Sequence, residues 1–159
     1  MIKKLLCGSF ALGSSLGLLL AADAFTGSWK LDVAKSTFAS DYPVPKEATL
    51  TFTEQGANRI QTLNRIAGDG SASSTEWTAP ITGGIVIFPA GQGPNGGASL
   101  QVADRTLRMT QNLPAGKRGA SRTYQLSADG ATLTLTLIRE DGVQPSIDVS
   151  IQGIYLDSI

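Results

Sequence analysis

The stretch Phe25-Thr26-Gly27-Ser28-Trp29-Lys30-Leu31 decides the fold. Gly27, Trp29 and Leu31 fall on one side of an extended chain, and Thr26, Ser28 and Lys30 on the other. Two-residue alternation of this kind marks a half-buried strand rather than a helix. The stretch reads as the first strand of a small antiparallel barrel, with Gly27 and Trp29 as its structural base.

On its N-terminal side stands a processing segment. Lys3 and Lys4 form a basic start, Leu5 to Leu20 is apolar or small throughout, and Ala22-Asp23-Ala24 has the A-x-A cleavage pattern. The expectation is a signal peptide over residues 1–24 and one barrel domain over 25–159, exported to the periplasm or secreted, with no membrane insertion after cleavage. Cys7 precedes most of the apolar run, whereas a lipid-modified cysteine follows it, so no lipid anchor is expected.

Cleavage after Ala24 leaves 135 residues, enough to bury a core without staples. It also removes Cys7, the one cysteine, and the chain has no histidine. Disulfides, thiol nucleophiles and thiolate metal sites are thereby excluded from the processed chain. The full chain has zero formal charge, and the processed one carries 11 basic and 12 acidic residues. The basic residues are scattered, so neither nucleic acid nor an anionic membrane is an expected partner.

On the C-terminal side, helical periodicity is nearly absent and turn residues recur about every ten positions. The expected strands are 26–33, 47–54, 58–67, 72–80, 84–88, 98–103, 105–112, 119–127, 131–140 and 146–156. The clearest hairpin turns at Ala128-Asp129-Gly130, since Asp-Gly favours the positive φ of a tight turn. After it Leu133, Leu135 and Leu137 face one way, and Thr132, Thr134 and Thr136 the other. Further turns are read at Ala67-Gly68-Asp69-Gly70 and Glu140-Asp141-Gly142, and in the last strand Ile147, Val149 and Ile151 alternate with polar residues. Within 58–67, Ile60, Leu63 and Ile66 are three apart, which predicts a bulge or twist. Segment 34–46 has room for one helical turn at most, with Pro43 and Pro45 keeping its end extended, and 89–97 is a flexible loop. Ten short strands joined by tight turns meander, and closing the meander removes its edges. The fold class is therefore all-β: a single antiparallel up-and-down barrel of eight to ten strands.

Gly27-x-Trp29-Lys30-Leu31 with Lys35-Ser36-x-Phe38, Asp104-Arg105-Thr106, Ser127-x-Asp129-Gly130-x-Thr132-Leu133-Thr134 and Tyr155 resemble the lipocalin-like, or calycin, superfamily. More closely, the chain resembles small exported bacterial lipocalin-like proteins of uncharacterised function. The opening is also similar to that of fatty-acid-binding proteins, which begin Phe-x-Gly-x-Trp-Lys-Leu. Those insert a helix pair after the first strand and hold the lipid carboxylate with Arg-x-Tyr on the last. Here the insert is too short, and Gly153-Ile154 precedes Tyr155, so the resemblance does not carry a fatty acid across.

Arg122 shares parity with Tyr124 and Leu126, which puts a cation on the apolar face, where it needs a partner. One reading makes it an anion-binding residue in the cavity. The other, drawn from lipocalins and favoured, packs a late-strand arginine over the Gly-x-Trp tryptophan at the barrel base. Phe52, Trp77, Phe88, Met109, Arg122 and Tyr124 are the candidate ligand contacts; in a filled barrel the same apolar residues are plain core. Gly91-x-Gly93 is no phosphate loop, because no helix follows it. Glu54, Asp69, Glu76 and Asp141 lack metal-loop spacing, and no metal or cofactor is expected. Without His or Cys the usual nucleophile–base pairs are missing, so no enzyme and no catalytic residue are expected. The leading expectation is a non-catalytic barrel that binds a small apolar or amphipathic molecule. The alternatives are a filled barrel that meets a protein partner through loops 34–46 and 89–97, and, third, a carboxylate-based enzyme. A cavity above about 300 Å³ lined by the candidates favours the first.

Overall fold

The computed structural model describes residues 23–38, 43–94, 96–112, 118–138 and 150–158. For Arg118 and for 150–158 only the backbone is described. The strands are β1 (Gly27–Asp32), β2 (Glu47–Gln55), β3 (Asn58–Ile66), β4 (Ala72–Pro80), β5 (Gly84–Val86), β6 (Ala98–Ala103), β7 (Thr106–Asn112), β8 (Arg118–Leu126), β9 (Thr132–Ile138) and β10 (Ser150–Ser158). No helix is present among the described residues.

The strands pair antiparallel in the order β4-β3-β2-β1-β10-β9-β8-β7-β6-β5. This is a meander in which the first and last strands also pair, with Trp29 opposite Ser158 and Asp32 opposite Tyr155. The end strands β4 and β5 meet at one bridge, Thr78–Ile87, through two backbone hydrogen bonds of 2.8 Å. Strand pairing therefore does not run continuously around the sheet, a departure from the single closed barrel expected. The reason is local. β5 is three residues long, and Pro89, two residues past Ile87, has no N–H to extend a ladder. At Gly83 (φ 91°) an added Cβ would stand 2.7 Å from the Leu100 carbonyl oxygen, so the chain enters β5 through a corner only glycine fits.

The sheet nonetheless folds across its own interior. The Tyr124 hydroxyl of β8 donates to Gln61 Oε1 of β3 at 3.2 Å, although these strands are not neighbours. The core is made of the alternate residues that the pattern singles out. Trp29 and Leu31 are buried from β1, Leu50 and Phe52 from β2, Leu107 and Met109 from β7, Tyr124 and Leu126 from β8, and Leu133 and Leu135 from β9.

The bulge expected in β3 is not there. Its register is unbroken from Asn58 to Ile66 against both neighbours. Arg59, Gln61, Leu63 and Arg65 share the inward face, and Ile66 is exposed on the other. The apolar spacing fails because this strand turns polar residues inward, not because its backbone is irregular.

The Ser127–Thr132 hairpin forms as its sequence suggests. Asp129 Oδ1 accepts from Ser127 Oγ at 2.6 Å and from the Ala131 N–H at 3.1 Å. After β1, Asp32 Oδ1 accepts from the N–H groups of Ala34 and Lys35 at 3.0 and 3.2 Å, which turns the chain so that Phe38 packs on the core. β10 is described over Ser150–Ser158, and 146–149 of the strand expected there lie outside the described residues. The Glu140-Asp141-Gly142 turn, Ile147, Val149 and the leader up to Ala22 lie outside the described residues.

Candidate functional site

The interior has a packed base and an accessible far end. At the base, Phe25, Trp29 and Arg59 are all buried. Gly27 (φ 143°) begins β1 there, and the Trp29 indole N–H donates to the Phe25 carbonyl at 3.2 Å. Arg59 lies over the Phe25 ring with its Cζ 5.7 Å from the centroid, and its Nη2 donates to Asp23 Oδ2 in an ion pair. Asp23 is itself held: its N–H donates to Glu54 Oε1 at 2.8 Å, and its Oδ1 accepts from the Phe25 N–H at 3.2 Å. Burial pulls the Arg59 pKa down, since desolvation disfavours the cation.

Above the base sits an aromatic cluster centred on Phe52. Its ring meets Phe25, Trp77 and Tyr124 edge-on, with centroids 6.0, 6.2 and 5.5 Å away. Around it, Arg59 Nε and Nη1, Gln61 Nε2 and Trp77 Nε1 are buried with no hydrogen-bond partner of good geometry. Burial raises the Tyr124 pKa; the Arg122 charge and the polar hydrogens of Trp77 and Arg122 partly offset it.

At the far end, β2, β3 and β4 face β8 and β9 across a pocket of about 220 Å³. Leu50, Leu63, Leu135, Leu137 and Pro45 form its apolar wall, and Tyr124 separates it from the aromatic cluster. Arg65 and Arg122 also line it, and no carboxylate does. The arrangement suits a molecule with an apolar body and an anionic or strongly accepting end. A shallower recess of about 360 Å³ lies over the ends of β2, β3 and β4 and includes Glu47 beside Arg65, so its charge is mixed.

Of the residues expected from sequence, Arg122 and Tyr124 line the pocket. Phe52, Trp77 and Met109 lie in the packed core and are not part of its lining. Phe88 is partly buried against that core, next to Gly93, where a Cβ would come within 2.9 Å of its ring. Arg122 stands at the open end, and the arginine stacked on an aromatic ring at the base is Arg59 on Phe25. The pocket is smaller than the 300 Å³ set as the mark of a ligand cavity. Arg59, Gln61 and Arg65 were not picked out in the sequence; the broken apolar pattern of β3 was their only signal. Among the described residues no cluster of three or more carboxylates could hold a metal ion.

No protein-family model matches the chain. No curated protein matches it. Among solved structures it is similar to crystal structures of the fluorescent protein UnaG. One mutant of that protein superposes with a TM-score of 0.55 at 16% identity, covering 84% of this chain and 95% of that one. A second mutant gives 0.54 at 15% identity over 86% and 96%. The wild type gives 0.50 at 12% identity over 85% and 97%. At these identities the likeness shows the fold alone, an all-β antiparallel fold.

Proposed function

We propose that this protein is an exported, non-catalytic calycin-like barrel that binds a small amphipathic molecule with an anionic end. The observation that carries the reading is the far-end pocket: four leucines, Tyr124 and two arginines, with no carboxylate in the lining. An apolar wall supplies affinity, and the Arg122 and Arg65 guanidinium groups fix the orientation of the charged end. The pocket of about 220 Å³ is smaller than sites for drug-sized ligands, so it accepts a short molecule or one end of a longer one. The calycin-like fold supports the reading, because small barrels of this kind have interiors just wide enough for side chains or one small ligand. Closure into a single barrel is part of the proposal: the Thr78–Ile87 bridge joins the end strands, and bound ligand would hold the two limbs together. Export rests on the Lys3-Lys4 start and the apolar run Leu5 to Leu20.

Native mass spectrometry of the protein collected from the compartment into which it is exported tests the reading. A co-purifying small anion that Arg122→Met fails to retain supports it. Protein that stays empty, and that binds a fluorescent anionic amphipath no better than a neutral analogue, sinks it. A second reading rests on Ile85 and Ile87, which are 76% and 65% exposed next to loop 89–97. Exposed apolar residues on a short edge strand suit a protein partner. Ile85→Ser would then abolish partner capture and leave small-molecule binding unchanged.

A further inference from the structure

We propose that the mature protein keeps Asp23. The leader is cut on the N-terminal side of this residue, and Ala22–Asp23 is the bond that fits the fold. The inference rests on the export reading above. The A-x-A spacing of Ala22-Asp23-Ala24 alone selects the bond after Ala24. The folded protein argues against that bond.

Arg59 is 2% exposed, and Asp23 is its ion-pair partner. The Arg59 Nε and Nη1 atoms have no other partner. A cut after Ala24 would remove the carboxylate and leave the buried guanidinium without it. The same cut would create an α-ammonium on Phe25, whose N–H now bonds Asp23 Oδ1 at 3.2 Å and whose ring lies under Arg59. Two cations would then share a place where burial already disfavours one.

A cut before Asp23 does the opposite. The new α-ammonium forms on Asp23 N, which lies 2.8 Å from Glu54 Oε1, so a neutral donor becomes a charge-assisted one. The Asp23 carboxylate stays on Arg59, and its carbonyl still accepts from the Thr26 N–H at 2.8 Å. Ala22 supplies the small residue at the bond, and what the leader gives up is the second alanine of the A-x-A pattern, since Leu20 stands where it would be. Asp23 thus belongs to the barrel base as its internal counter-ion, and the position of the cut decides whether the base is neutral or carries a bare cation.

The test is the full chain expressed with its own leader in a bacterial host, with the exported form read by intact mass and N-terminal sequencing. A first residue at Asp23, or a cut within the leader that leaves Asp23 in place, upholds the proposal. A first residue at Ala24 or Phe25 overturns it and leaves export standing; a chain that keeps its whole leader overturns both. On the exported protein, Asp23→Asn is expected to lower Tm by about 10 °C, as for a buried pair that loses one partner. In an Arg59→Met background, which removes the cation, the same change should shift Tm by less than about 3 °C. An equal loss in both backgrounds would show that Asp23 acts through its turn rather than through Arg59, and the proposal would fall.

Discussion

Replacing Phe52 tests whether the interior is organised around one aromatic ring. Phe52 is 1% exposed and touches three other rings edge-on at 5.5 to 6.2 Å. Each such contact contributes about 0.5–1.5 kcal/mol beyond buried area. Phe52→Leu keeps an aliphatic body and removes the ring edges, so it should cost about 2–3 kcal/mol. Phe52→Ala also leaves a cavity and should cost about 4–5 kcal/mol. At about 2–4 °C per kcal/mol these losses lower Tm by roughly 4–12 °C and 8–20 °C. Urea unfolding followed by the fluorescence of Trp29 and Trp77 measures both, with the slope unchanged if only stability moves. Met109→Leu, equally buried but close to volume-conserving, is the control and should cost less than about 1.5 kcal/mol. If Phe52→Leu costs no more than that control, the rings are not coupled and the cluster is ordinary packing. Because Tyr124 lies between Phe52 and the pocket, the alanine variant should also deepen the pocket and admit longer ligands.

Three further outcomes follow from the same geometry. Tyr124→Phe leaves Gln61 Oε1 without its donor and should cost about 1–3 kcal/mol by urea unfolding. The buried phenol has a folded pKa above 10.0, so wild-type stability is complete below that pH and falls above it; the Phe variant should lack this alkaline loss in a Tm-versus-pH series. Asp129 is held below 3.8, first by the Ser127 hydroxyl and then by the Ala131 N–H, so its contribution is present above 3.8 and is lost as pH falls through the lower folded value. Asp129→Asn should flatten the acid limb of the same series, and an unchanged limb would remove the turn from the account. Gly27→Ala meets no neighbouring atom but forces a side chain to φ 143°, so thermal melts should show a loss of about 1–3 kcal/mol from backbone strain alone.

Much of the fold was legible because alternation is a local property. The Trp29-x-Leu31 and Leu133-x-Leu135 rows needed only the two-residue period to be assigned to the buried face, and the Asp129-Gly130 turn needed only the backbone preference of glycine. The site was less legible. Arg122 and Tyr124 were found because a cation sharing a face with apolar neighbours is itself a local signal. Arg59, Gln61 and Arg65 were missed because β3 inverts the rule, carrying polar groups inward. Their reason for being there lies on other strands or outside the sheet: Tyr124 for Gln61, and Asp23 for Arg59.

The sequence by itself determined an all-β antiparallel meander, the turns at Ala67–Gly70 and Ala128–Gly130, and most of the inward-facing residues described, since each depends on neighbours a few positions apart. Tertiary structure alone decided three things. It set how far the sheet closes, because β4 and β5 are remote in the pairing order and meet at a single bridge. It sorted the aromatic residues, since Phe52 and Tyr124 are equally buried but only Tyr124 reaches the pocket. And it gave the packed base its charge balance, because Asp23 and Arg59 stand 36 residues apart and become partners only when β3 is laid beside the segment that leads into β1.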